Sequence, residues 1–258
     1  MRLRVKVFSF NYMKDKVITY LQQQKELFGP LLYIEPTSSL DNNAINHADS
    51  SHVYPETMAL SIDPNWKNAE SLPILYGHIH NCLECSLGTT RNSFVFGVGN
   101  PNADILIIGE APGADEDAKG EPFVGAAGQL LTKILQAIGF TREEVYIANI
   151  IKCRPPQNRR PEKSEINSCE PYLQKQIEII KPAFILALGL TAVNTLLKKE
   201  HKMQDIRGTI LNYHGVNMIA TYHPAALLRN PNWKKPAWDD VQMLKNMYDE
   251  WKKNNPTT

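Results

Sequence analysis

The sequence predicts an α/β fold: a three-layer αβα sandwich around a central, mainly parallel sheet of four strands, preceded by an N-terminal extension. Three observations point there. Short continuous apolar runs recur at 104–109 (DILIIG), 145–150 (VYIANI) and 183–189 (AFILALG), as strands buried on both faces require. Segments with apolar residues at helical spacing separate them. Strands that alternate with helices imply parallel pairing, with helices covering both faces of the sheet.

Taken in order, residues 1–68 differ from the rest. Val17, Ile18, Leu21, Leu27 and Phe28 give 14–28 the spacing of one helix. The stretch 36–69 is rich in Ser, Asn, Asp and Pro and has little periodicity, which is the composition of a disordered linker. The folded domain is therefore expected over 69–258. A helix at 72–81 leads to the first cysteine pair. Leu130, Leu131, Ile134, Leu135 and Ile138 place a helix over 126–140, with Gly139 as its stop. A third helix runs over 161–180 and ends before Pro182, and a short one follows at 191–197. Runs at 209–213 and 218–222 form a final pair around Gly215, and an amphipathic helix over 238–251 closes the chain. Ligands of such sheets sit beyond the carboxyl ends of the strands, so the chemistry is expected just after Gly109, Ile150 and Tyr222.

Composition excludes little. The chain has 258 residues, 43% hydrophobic and 21% charged, which is ordinary for a globular protein. No run of about 18 apolar residues predicts a membrane span. Residues 1–10 are basic and partly apolar but lack a signal-peptide pattern, so the cytoplasm is the default compartment. A net charge of +1 neither demands nor excludes nucleic acid. Two local basic runs, Lys152–Arg154–Arg159–Arg160–Lys163 and Arg229–Lys234–Lys235, read on composition alone as solvated loops. The four cysteines, Cys82, Cys85, Cys153 and Cys169, include a C-x2-C pair and suit a metal better than disulfides. Four thiolates accommodate zinc or an iron–sulfur cluster alike.

Three segments carry candidate chemistry. After the first strand come GEAPG at 109–113, the carboxylates Asp115, Glu116 and Asp117, and GEPFVGAAG at 120–128. This is neither a dinucleotide fingerprint nor a P-loop, and three carboxylates would repel a phosphate. Phe123 is an exposed-ring candidate for stacking; packing of the loop onto the core is the simpler reading of that residue alone. After the second strand, Asn149 presents an amide acceptor beside donors. After the last, His223 is pinned by Pro224, with Leu227 and Leu228 beside Arg229.

Jointly, over residues 70–253, C-x2-C, GEAPGADEDAKGEPFVGAAGQLL, NIIKCRPPQNRRP, Cys169 and TYHPAALLRNP resemble the family 4, iron–sulfur uracil-DNA glycosylases. The resemblance implies a uracil-DNA glycosylase-like sandwich that hydrolyses the N-glycosidic bond of deoxyuridine in DNA, acting as a monomer on uracil-containing DNA with no membrane. It implies a structural [4Fe–4S] cluster on Cys82, Cys85, Cys153 and Cys169. By the same resemblance Phe123 stacks on a flipped uracil and Asn149 reads its N3–H and O4 edge. Glu110 and Ala111 wall off C5 against the thymine methyl, and His223 donates to O2. Leu227 fills the gap left in the duplex, Arg229 meets a phosphate, and Arg154 and Arg159 belong to the DNA-contacting loop. Many glycosylases place a water-activating Asp where this chain has Glu110-Ala111; Glu116 and Asn158 stand as candidates for positioning water or shaping the pocket. The loop after Cys153 lacks the Lys-Arg-Arg-Ile-His insertion of relatives that become linked to DNA. Two rival readings are an inactive DNA-binding module of this type and a nucleotide-binding enzyme with structural zinc.

Overall fold

The computed structural model describes residues 64–255; the helix expected at 14–28 lies outside them. Six strands form one sheet: β1 (Val98–Gly99), β2 (Ile105–Gly109), β3 (Tyr146–Asn149), β4 (Phe184–Leu188), β5 (Ile210–Tyr213) and β6 (Val216–Thr221), in the order β1-β3-β2-β4-β6-β5. The expected four-stranded sheet is its parallel centre, β3-β2-β4-β6. It is extended at each edge by an antiparallel strand, β1 on β3 and β5 on β6. The count of four fell short for two reasons. β1 has only two residues, too few for periodicity. β5 lies within the run expected at 209–213 and, as an antiparallel edge on β6, adds to the parallel centre without belonging to it.

The eight described helices are α1 (Leu72–Ile79), α2 (Ala114–Lys119), α3 (Ala126–Ala137), α4 (Lys163–Ile180), α5 (Leu190–Leu197), α6 (Met203–Ile206), α7 (Pro224–Arg229) and α8 (Lys234–Asn254). Every residue of β2, β3 and β4 is buried, as the continuous apolar runs require. Side-chain alternation divides them between two cores. Leu106, Ile108, Ala148, Ile185 and Ala187 share one cluster with α1, α4 and α5. The intervening residues face the other way, where Tyr248 and Trp251 of α8 meet Phe184 edge-on. Three layers result. None of the described helices is long and apolar enough to cross a membrane.

Register decides where the site lies. Gly109 pairs with Asn149, and Leu188 with Thr221, so the carboxyl ends of the four parallel strands stop in one row. From β2 the chain moves to β3 on one side and then to β4 on the other. A crevice opens at such a reversal.

Behind the end of β6 lies a polar knot. Asp240 of α8, fully buried, accepts from Thr221 Oγ1 at 2.8 Å and from Arg207 Nη2 at 3.0 Å. Burial pushes its carboxyl up to about 6, against the pull of Thr221 and Arg207. Removing the acceptor strands both donors, at a cost of about 2–3 kcal/mol. Asp240→Ala is therefore expected to lower Tm by roughly 5–10 °C in a calorimetric scan; an unchanged Tm would show that the knot contributes nothing.

Candidate active site

The row of strand ends brings three predicted residues together. Asn149 ends β3 and is only 2% exposed. Its Oδ1 is buried and has no hydrogen-bond partner. Gly109, at the end of β2, permits the close approach: a Cβ there would lie 2.4 Å from Asn149 Oδ1 and 2.5 Å from Phe123 Cζ. The Phe123 ring in turn lies beside the His223 ring, with centroids 5.4 Å apart and planes inclined by 31°. An amide, a flat apolar ring and an imidazole thus meet over one bare glycine.

Phe123 departs from expectation in one respect. Its ring is 5% exposed, not a free platform. Its φ of 55° is left-handed, a conformation costing an L residue on the order of 1–3 kcal/mol unless its surroundings impose it. They do so from both sides. Arg142 donates to the carbonyls of Pro122 and Phe123 at 2.8 and 3.0 Å. Glu116 accepts from the amides of Val124 and Gly125 at 2.9 and 3.0 Å, and from Gly113 N at 3.0 Å. Gly128 of α3 packs directly under the Phe123 carbonyl, where a Cβ would stand 1.8 Å from its oxygen.

That geometry fits the second of the two roles expected of Glu116, shaping the pocket, better than the first, positioning water. Both its carboxylate oxygens are engaged by backbone amides, so it builds the loop and is not a free water-activating group. Asp117 is spent the same way, on the amides of Asn92 and Ser93 and the Asn92 side chain. Asn158 is corrected. It is exposed in the short turn Pro156–Asn158 and accepts from Arg154 Nε at 2.8 Å, away from the Asn149–Phe123–His223 group. Glu110 and Ala111, both half-buried, follow Gly109 as expected, and the Glu110 carbonyl accepts from Ile151 N.

His223 caps α7. Ala225 N donates to its Nδ1 at 3.2 Å, so Nδ1 carries no proton and the neutral ring bears its hydrogen on Nε2. Burial, reinforced by the charge of Arg229, holds the imidazole down to about 4, with Glu116 opposing. Gly189, at φ 88°, follows β4 beside His223, and a Cβ on it would stand 3.2 Å from His223 Cβ.

The DNA-contact candidates divide. Arg229 is exposed. Leu227 is corrected: it is 1% exposed, on a helix that packs against α3, whereas Leu228 is 47% exposed. Arg159 is corrected too. Its guanidinium grips the buried Glu165 through two hydrogen bonds of 2.9 and 2.6 Å and fastens its own loop. Lys152, counted in a basic surface run, is fully buried. Its ammonium donates to the Asn149 carbonyl at 2.8 Å and to Gln176 Oε1 at 2.6 Å. The clue lay in its position, three residues past Asn149 and next to Cys153 in a run otherwise apolar.

The cysteines gather nearby. Cys82, Cys153 and Cys169 are buried, Cys85 is half-buried, and none is in a disulfide. Their mutual influence places them in one neighbourhood: Cys153 feels Cys82 and Cys85, and Cys169 feels Cys153 and Cys82. Burial pushes the Cys153 thiol up to about 11 and Cys169 up to about 12. Arg91 donates to Cys153 Sγ at 3.3 Å, and Lys152 N to Cys169 Sγ at 3.3 Å. Among the described residues no group of three or more His, Cys, Asp and Glu side chains is placed to hold a metal ion.

Comparison with known proteins agrees with this arrangement. A family model of the uracil DNA glycosylase superfamily matches residues 96–242. The chain belongs to that superfamily. It is 44% identical over 185 residues to a type-4 uracil-DNA glycosylase of Saccharolobus solfataricus, covering 68% of this chain and 86% of the relative. A type-4 uracil-DNA glycosylase of Archaeoglobus fulgidus is 42% identical over 183 residues (68% and 92%). One of Pyrobaculum aerophilum is 44% identical over 180 residues (66% and 91%). Within the superfamily, then, the chain resembles the type-4 branch.

The state of His223 can be measured. Its folded pKa of about 4 lies below the ordinary value near 6.5, so the unfolded chain binds more protons between the two. The stability contributed by the neutral ring is complete above about 6.5 and is lost as pH falls through about 4. NMR titration, with His223→Gln to assign the signal, is expected to show this ring unchanged down to pH 5; an inflection near 6.5 would mean the pocket does not hold it neutral.

Proposed function

We propose that this chain removes uracil from DNA by hydrolysing the N-glycosidic bond of deoxyuridine, leaving an abasic site as the first step of base excision repair. The observation that carries the reading is the unpartnered Oδ1 of Asn149, buried against Phe123 and Gly109 beside a neutral histidine. A buried acceptor without a donor costs about 1–3 kcal/mol until a ligand supplies one. Uracil does so through N3–H, while the same amide's Nδ2 donates to O4. Cytosine offers an acceptor and a donor in the opposite places.

A base inside a duplex cannot reach these groups, so the nucleotide is flipped out. Phe123 lies flat against the base, and Glu110 and Ala111 close the side near C5. Cleavage leaves negative charge on the departing uracil, and His223 aims its Nε2–H at O2, where that charge develops. A cationic histidine is not needed: the Nδ1 cap supports a neutral donor. With Glu116 engaged in the loop and Asn158 turned outward, an attacking water needs no strong base, because an oxocarbenium-like sugar accepts a weak nucleophile. Leu228 and Arg229, both exposed, are the better candidates for the duplex gap and a flanking phosphate, with Arg154 on the neighbouring loop.

The same reading assigns a [4Fe–4S] cluster to Cys82, Cys85, Cys153 and Cys169. The donor set fits: four thiols, no disulfide, the Arg91 guanidinium bonded to Cys153, and the Lys152 ammonium within electrostatic reach of Cys169 and Cys153. A cluster binds each thiolate to a different iron, so its ligands need not converge as those of a single zinc must. When bound, the cluster supplies a rigid crosslink between the loop before β1, the loop after β3 and α4.

Anaerobically purified protein is expected to release uracil from a single-uracil oligonucleotide, but neither thymine nor cytosine, and to carry about four irons. Zinc in place of iron would remove the cluster assignment while leaving the activity intact. His223→Ala should slow single-turnover excision by about 10²-fold or more. Asn149→Asp should erode the preference for uracil over cytosine; a preserved preference would show that another group reads the base.

A further inference from the structure

The segment that follows His223 carries a feature that base extraction leaves unexplained. Between α7 and α8 the turn Pro231–Trp233 presents an indole that is 39% exposed. Trp233 is not loosely placed. It lies almost parallel on Tyr222, with centroids 4.7 Å apart and planes inclined by 15°. Tyr222 directly precedes His223, and the Arg207 guanidinium carbon stands 6.0 Å from the centre of its ring. Arg207 is in turn held by the buried Asp240 and by the Pro236 carbonyl. A buried carboxylate, a guanidinium, a phenol and an indole thus form a column that ends at the surface.

One face of the indole is taken by Tyr222, which leaves the opposite face to account for its exposure. The exposed charges on either side in sequence, Arg229 and Lys235, are cationic. Arg229 is close enough to His223 to help depress its imidazole, which sets this segment at the rim of the site. A rigid aromatic face amid cations, beside a pocket for a base, has the character of a stacking platform for single-stranded nucleic acid.

We propose that Trp233 stacks on a nucleobase of the uracil-containing strand, adjacent to the nucleotide drawn into the pocket. This rests on the glycosylase reading and goes beyond it by naming where the unflipped part of the strand is held. Stacking requires an unpaired face, so the contact favours single-stranded or locally opened DNA over intact duplex. It also spares chemistry: the platform acts on the affinity for the strand, whereas the base itself is held by Asn149, Phe123 and His223.

The test compares wild type, Trp233→Ala and Trp233→Phe on single-stranded and duplex oligonucleotides carrying one uracil, at fixed salt. Equilibrium binding uses an abasic-site oligonucleotide, and inhibition by free uracil reports the pocket separately. Trp233→Ala is expected to weaken single-strand binding about tenfold or more. Its excision rate at saturating DNA and its inhibition by free uracil should stay within about threefold of wild type, and Trp233→Phe should recover most of the affinity. Unchanged affinity in Trp233→Ala would overturn the proposal, as would a Trp233→Phe variant as weak as Trp233→Ala. Loss of the saturating rate and of uracil inhibition, with DNA affinity intact, would also overturn it, because the column would then serve only to hold His223. Wild-type protein that binds abasic DNA yet releases no uracil would count against the glycosylase reading, and the binding comparison would still judge Trp233.

Discussion

The buried ammonium of Lys152 is the point through which the site is organised. It lies where β3 gives way to the loop that carries Cys153, with none of its surface exposed to solvent. Burial drives its pKa down to about 8, and the neighbouring Cys169 and Cys153 pull it back. Its two oxygen partners are the backbone of Asn149 and the side chain of Gln176 on α4. Gln176 continues the chain of bonds to the Phe96 carbonyl, ahead of β1. One side chain therefore ties the strand end that carries Asn149, the cysteine neighbourhood and the helix behind the sheet. A charge this deep is tolerable only with such partners. Its demand for them fixes the backbone from which Asn149 projects.

The opposite wall obeys a different constraint. Phe123 needs a backbone twist that a phenylalanine would not choose, and Glu116 holds the loop there while Asp117 fastens it to Asn92 and Ser93. Glu116 and Asp117 face amide hydrogens, not solvent or substrate. What looks in the sequence like an acidic patch is an internal scaffold, and the carboxylates' repulsion for phosphate matters less than their count suggests. Arg142 completes the clamp from the far side of the loop.

Much of this was legible in the sequence, and what was missed has identifiable causes. The parallel centre of the sheet followed from three apolar runs, because a strand covered on both faces leaves no room for polar residues. The positions of Asn149 and His223 at strand ends were legible because they fall at or just past the ends of the apolar runs. The edge strand β1 escaped because it is too short to show alternation. α2 was read as loop because its residues, ADEDAK, have no apolar face, and α7 because proline and leucine there suggested a wedge. Side-chain destinations were hardest. Nothing in a string of letters tells whether Lys152 or Arg159 reaches water or another residue, nor which of two adjacent leucines points inward. Leu227 and Leu228 stand about 100° apart on a helix, so one is core and its neighbour is surface.

The bare acceptor on Asn149 has a consequence for anyone who would improve this protein. The free chain carries an unsatisfied buried oxygen at the strand ends, and Gly109 beside it leaves no room for a side chain, since a Cβ would stand 2.4 Å from that oxygen. A selection for heat resistance alone would instead replace Asn149 with an apolar side chain of similar size and be rewarded for it. Such variants would fold more firmly and, on the proposed function, lose the ability to tell one pyrimidine from another. In this scaffold discrimination is stored as an incompleteness of the folded state, and thermal robustness is a poor proxy for competence.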